Sequence, residues 1–100
     1  MSMKTIQNYR FYKQLVALSF IKEIWLFGSR ARGDNQDRAD IDLAVLCPAA
    51  TFQDWEVVQE IIDDADTLLK IDCVRLDKLD DTSALKQSIL TQGIKLYEKL

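Results

Sequence analysis

Asp40 and Asp42 are the residues whose spacing speaks most directly of chemistry. They belong to Asp40-Ile41-Asp42-Leu43-Ala44-Val45, which alternates with the period of a strand. Both carboxylates therefore project from one face, while Ile41, Leu43 and Val45 can anchor the other in a core. Two like charges held side by side repel, and a fold tolerates them best with a cation between them. Hard oxygen donors of this kind suit Mg²⁺ or Mn²⁺. An isolated pair of this spacing is equally an exposed strand end, so its meaning depends on what surrounds it.

Gly28-Ser29 closes an apolar, aromatic-rich run, Ile24-Trp25-Leu26-Phe27. Glycine at a strand end lets backbone N–H groups approach a phosphate, and a short helix starting there aims its positive end at the anion. Ser29 adds a hydroxyl donor; Arg30 and Arg32 add charge. The plain alternative is a tight turn with two surface arginines. Neither GxxxxGK[ST] nor GxGxxG is present. Asp72 sits between Ile71 and Cys73, where a charged side chain is unusual without a partner. If its strand neighbours that of Asp40 and Asp42, three carboxylates gather. Such a group can hold one or two metal ions, with a spacing of roughly 3.5–4 Å in two-metal sites. The third carboxylate can also take the proton of an attacking hydroxyl.

The rest of the composition narrows the choice. The chain has no histidine, which removes Ser-His-Asp triads, Cys-His nucleophiles, imidazole bases and His-containing zinc sites. Cys47 and Cys73 are too few for a thiolate zinc cage and too separated for a CxxC motif. In apolar surroundings they read as reduced core residues of a cytoplasmic protein, with a disulfide as the alternative. Chemistry must run on carboxylates, cations, hydroxyls and backbone dipoles, and Asp supplies 12 of the 16 acids. Residues 1–38 carry a net charge of +4 and residues 39–100 a net of −7. This is either two solvated surfaces or a basic wall facing an acidic cluster. A net charge of −3 disfavours direct nucleic-acid binding.

The elements that must position these groups follow from periodicity. A helix is expected from about Thr5 to Phe20, its Tyr9, Phe11 and Tyr12 serving the core or a partner surface. Lys4, Arg10 and Lys13 before the apolar run 15–21 imitate a leader peptide, but no small-residue cleavage site follows. No apolar run reaches the ~18 residues of a membrane span. Strands are expected at 24–27, 40–47 and 70–76, the second stopped by Pro48. Thr51 and Asp54 open a helix whose Trp55, Val58, Ile62, Ala65 and Leu69 share one buried face. The acids Glu56, Glu60, Asp63, Asp64 and Asp66 occupy its other side. Arg75, Asp77 and Lys78 read as solvated charges. A helix over 84–91 ends at Gly93, and Ile94 to Glu98 forms a fourth strand. This order predicts a single α/β (α+β) domain spanning residues 1–100, with a small mixed sheet of about four strands flanked by helices.

Gly28-Ser29-Arg30-Ala31-Arg32-Gly33 followed by Asp40-Ile41-Asp42-Leu43 resembles the signature of the DNA polymerase β-like nucleotidyltransferase superfamily. Its minimal nucleotidyltransferase (MNT) branch, the antitoxin partner of HEPN-domain toxins, is the most similar, and the likeness extends over nearly the whole chain. The resemblance implies that Gly28, Ser29, Arg30 and Arg32 bind the nucleotide, with one arginine also free to pair with an acid of its own loop. It implies that Asp40, Asp42 and Asp72 are the catalytic carboxylates and bind Mg²⁺, with Asp72 also the proton acceptor. Ala39 departs from the family's usual Ser. The implied activity is transfer of AMP from ATP to a tyrosine of a HEPN toxin, with two Mg²⁺ ions (or Mn²⁺), within a heteromeric complex. A non-catalytic antitoxin acting by occlusion, and a transferase for a small-molecule acceptor, are the alternatives.

Overall fold

The computed structural model describes residues 6–34 and 39–100. The expected helix start at Thr5, and Asn35 in the polar stretch, lie outside them. Four strands, β1 (Glu23–Phe27), β2 (Ile41–Leu46), β3 (Ile71–Arg75) and β4 (Ile94–Glu98), form one sheet in the order β3-β2-β1-β4. β1 runs antiparallel to both β2 and β4, whereas β2 and β3 are parallel. Helices α1 (Arg10–Val16), α2 (Ser29–Arg32), α3 (Phe52–Asp63) and α4 (Ala84–Gln92) complete an α+β fold with the expected mixed sheet.

The sheet is covered on both faces. Ile24, Leu26, Ile41, Leu43 and Val45 point to one side, where they pack with Phe11, Tyr12 and Leu15 of α1 and Val58 of α3. Phe11 and Leu15 are fully buried, and the Tyr12 hydroxyl donates to the Leu96 carbonyl at 3.2 Å. The first helix thus spends Phe11 and Tyr12 on the core. Ala44 faces the other side with Leu76 and Ile89, joined by partly buried Trp25, Phe27, Leu46 and Val74. By alternation Asp42 and Asp72 share this second, more thinly covered face.

Two helices are shorter than their apolar patterns suggest. The expected helix over 5–20 divides into a 3₁₀ turn, Ile6–Asn8, and α1. The cause is Asp66, whose carboxylate accepts from the N–H groups of Arg10 and Phe11 at 2.9 and 3.1 Å. A side chain from 55 residues away thereby caps a new helix start. α3 begins as expected, with Thr51 and Asp54 bonded reciprocally in a capping box. It ends at Asp63, where Asp63 and Asp64 meet the negative end of the helix dipole with no basic residue in the last turn. Ala65 and Leu69 still pack against the core from the connection that follows.

Both cysteines are free thiols. Cys73 is opposite Leu43 in the ladder, four positions from Cys47, or about 13 Å along the strand and beyond disulfide reach. Among the described residues no helix is long and apolar enough to cross a membrane.

Candidate active site

Three sequence segments meet where β1 ends and β2 and β3 begin. Phe27 pairs with Asp42 across the antiparallel ladder, and Asp42 pairs with Asp72 across the parallel one. The separation of thirty residues between Asp42 and Asp72 is therefore closed by adjacent strands. Gly28 follows directly on β1 with φ 73° and ψ −155°, a conformation essentially reserved for glycine. It serves a second purpose too. A β-carbon at Gly28 would collide with Asp42 Oδ2, so the turn backbone and the carboxylate approach each other only because that atom is missing.

The electrostatics are those of a crowded anionic site. Asp42 is partly buried, and its carboxyl is held above the usual carboxylate range. Burial is the largest cause, followed by the charges of Asp72 and Asp40 and a hydrogen bond with Asp72. The Lys70 ammonium opposes this rise, standing 3.6 Å from Asp72 Oδ1. Both partners of that pair are well exposed, at 70% and 46%, so solvent screens it. Lys70 is absent from the sequence reading, although the alternation that puts Asp40 beside Asp42 also puts Lys70 on the face of Asp72.

Gly33 closes α2 in the left-handed conformation, so the signature turn is one helical turn between two glycines. Arg30 reaches out of it to the backbone before β2. Its Nε donates to the carbonyls of Ala39 and Asp40, both at 3.2 Å, and its Nη2 donates to Ala39 at 2.8 Å. The contact tying the turn to β2 thus uses the backbone of residue 39, for which alanine is sufficient. Arg32 pairs with Asp34 of the same loop at 3.2 Å, on the surface.

Arg75 and Asp77 depart from the expected solvated charges. They form an ion pair at 2.9 Å with side chains only 13% and 10% exposed. Their partners are main-chain groups of Cys47 and Ala50, at the far end of the strands from Asp42.

Asp42 and Asp72 offer carboxylates from facing ladder positions, with the negative charge of Asp40 close enough to act on Asp42. That chemistry fits a hard divalent cation, which would neutralise the repulsion the fold otherwise carries. Among the described residues no group of three acidic, cysteine or histidine side chains is gathered as a ligand set. The arrangement is a carboxylate pair with a third acid alongside.

A family model described as polymerase beta, nucleotidyltransferase matches residues 12–100. Among solved structures, a variant of the toxin–antitoxin complex MntA–HpeT is 30% identical with a TM-score of 0.68, over 96% of this chain and 75% of that one. A toxin–antitoxin structure with AMP-PNP is 27% identical with a TM-score of 0.66, over 89% and 72%. The Shewanella oneidensis complex of a tri-AMPylated HEPN toxin with its MNT antitoxin shares the fold at 24% identity and a TM-score of 0.57, over 87% and 69%. No curated protein matches the chain in sequence. With a signature turn, a carboxylate-bearing sheet edge and a family match over nearly all its length, the chain belongs to the polymerase β-like nucleotidyltransferase family.

Proposed function

We propose that this protein transfers AMP from ATP to a tyrosine hydroxyl of a HEPN toxin, and acts as its antitoxin in the cytoplasm. The observation that carries the reading is the pairing of Asp42 with Asp72 beside the Gly28 turn. The AMP-PNP bound to one similar toxin–antitoxin structure, and the AMPylated toxin in another, support ATP as donor and a HEPN protein as acceptor.

In this reading Gly28 and Ser29 receive the phosphates, with Arg30 and Arg32 adding positive charge to the turn. Arg30 also fixes the approach to β2 through Ala39 and Asp40. Asp40, Asp42 and Asp72 would hold Mg²⁺, as two ions, or Mn²⁺. When bound, the metal supplies Lewis-acid neutralisation of charge on the phosphates. Asp72 stands on an edge strand and remains accessible, so it accepts the proton of the acceptor hydroxyl. The hydroxyl oxygen forms a bond to the α-phosphorus while the bond to the bridging oxygen breaks. Pyrophosphate leaves with that electron pair.

The test is incubation with Mg²⁺, a HEPN partner and ATP labelled at either the α- or the γ-phosphate. The α-label should appear on the partner and the γ-label should not. Label from the γ-position would make the enzyme a kinase instead. Absence of both, with the toxin still neutralised, would favour inhibition by occlusion.

A further inference from the structure

Arg75 and Asp77 build a clamp about 10 Å along β3 from Asp72, three residues away. Arg75 Nε donates to Asp77 Oδ2 at 2.9 Å, and its Nη2 donates to the carbonyls of Cys47 and Ala50 at 2.9 and 3.1 Å. The guanidinium also lies 5.9 Å from the centroid of the Trp55 ring. Asp77 Oδ1 accepts from the Cys47 N–H at 2.8 Å. Two residues just past β3 and at its end thus grip the backbone just past β2.

The need for such a grip follows from the strand. Among the described residues β3 is an edge strand whose ladder partner is β2 alone. Its inward residues Ile71 and Cys73 alternate with Asp72 and Val74, and every residue of the strand is only partly buried. Alternation forbids a slip of one residue, which would turn Asp72 into the core. It does not forbid a slip of two. That slip would keep the apolar side chains inward yet move Asp72 from opposite Asp42 to opposite Asp40 or Ala44. Leu76 adds apolar anchorage, but such contact is non-directional. Hydrogen bonds with fixed angles resist sliding better. The bond from Cys47 to Asp77 spans thirty residues, the same offset that pairs Asp42 with Asp72, so it extends the ladder's register beyond both strand ends.

We propose that the Arg75–Asp77 clamp on Cys47 and Ala50 sets the register of β3 on β2 and thereby holds Asp72 opposite Asp42. Arg75 and Asp77 are then positioning residues for the transfer reaction, an inference that rests on the function proposed above. A displacement of about 1 Å at a reacting centre can lower turnover by about 10²-fold.

The experiment compares wild type with Arg75→Met and Asp77→Asn in the full chain, with Arg75→Lys as the milder change should either fail to fold. Register is read by NMR contacts between the backbones of residues 42 and 72. Turnover and the KM for ATP are read from α-label transferred to the HEPN partner. Expected is loss of the 42–72 contacts with β1–β2 contacts retained, and about a 10²-fold fall in turnover with KM within about threefold. Arg75→Lys, which keeps a cation but loses the planar fork, should fall between. Unchanged 42–72 contacts, or loss of them with full turnover, would overturn the proposal. If wild type transfers no label, the functional reading fails, while the contacts still decide whether the clamp sets the register.

Discussion

Asp42 and Asp72 stand opposite one another in the parallel β2–β3 ladder, and the Asp72 charge helps hold the Asp42 carboxyl above the usual carboxylate range. Two acids placed this way weaken a fold that lacks a counter-charge. Their presence is explained by what they can hold. The same pair is therefore a source of function and a local cost in stability, and substitutions there separate the two.

Asp42→Asn removes one of two facing charges. The metal-free protein should gain about 0.2–1 kcal/mol, the size of a like-charge cross-strand penalty, while AMP transfer is lost. Chemical denaturation without divalent ions measures the first effect. A loss of stability would mean that the pair is a structural hydrogen bond and nothing more. Mn²⁺ at about 100 times its Kd should stabilise wild type by about 2.7 kcal/mol and leave Asp42→Asn nearly unaffected.

Gly28→Ala tests the close approach of the turn to that carboxylate. The new methyl group meets Asp42 Oδ2, and alanine is strained at φ 73°. A loss of about 1–3 kcal/mol is expected, with transfer activity falling alongside, since Asp42 must move. Gly33 provides the comparison: its φ is 80°, but a β-carbon there meets nothing within 4 Å. Gly33→Ala should therefore lose stability through backbone strain alone and retain activity. Equal loss of activity in both variants would contradict the assigned contact.

The thiols give a pH dependence of defined sign. Burial, and then the Asp77 charge, push Cys47 from 9.0 up to about 11, and burial pushes Cys73 up to about 12. The folded chain thus keeps protons that the unfolded chain releases near pH 9. Stability is unaffected by these groups below that pH and falls above it, until the folded thiols ionise near pH 11 and 12. The slope should approach ~1.4 kcal/mol per pH unit for each thiol. Urea midpoints between about pH 8 and 10 measure it, and Cys47→Ala/Cys73→Ala should flatten the profile. A wild-type profile as flat as the variant's would contradict the burial of these groups.

Much of the geometry around Asp42 is legible in the sequence because its signals are local. Period-two spacing places Asp40 and Asp42 together, Gly28-Ser29 ends an apolar strand, and Ile94–Glu98 follows a helix stop at Gly93. The capping box at Thr51 is equally local. What escaped depends on distant partners. Asp66 shortens the first helix from 55 residues away, which no periodicity encodes. Arg75 and Asp77 have the composition of a surface turn, and only the β2–α3 crossover gives them a buried backbone to grip. Lys70 beside Asp72 was within reach of the strand alternation that revealed the acids.

The most direct measurement of the central claim is single-turnover AMP transfer to the HEPN partner by wild type, Asp42→Asn and Asp72→Asn, each first shown to be folded and bound to that partner. Wild type should place the α-phosphate of ATP on the partner with release of pyrophosphate. Each variant should transfer at least about 10²–10³-fold more slowly while still binding, in line with removal of a charge-stabilising or proton-accepting group. Transfer at the wild-type rate by either variant would contradict the assignment of the Asp42–Asp72 pair as the catalytic centre.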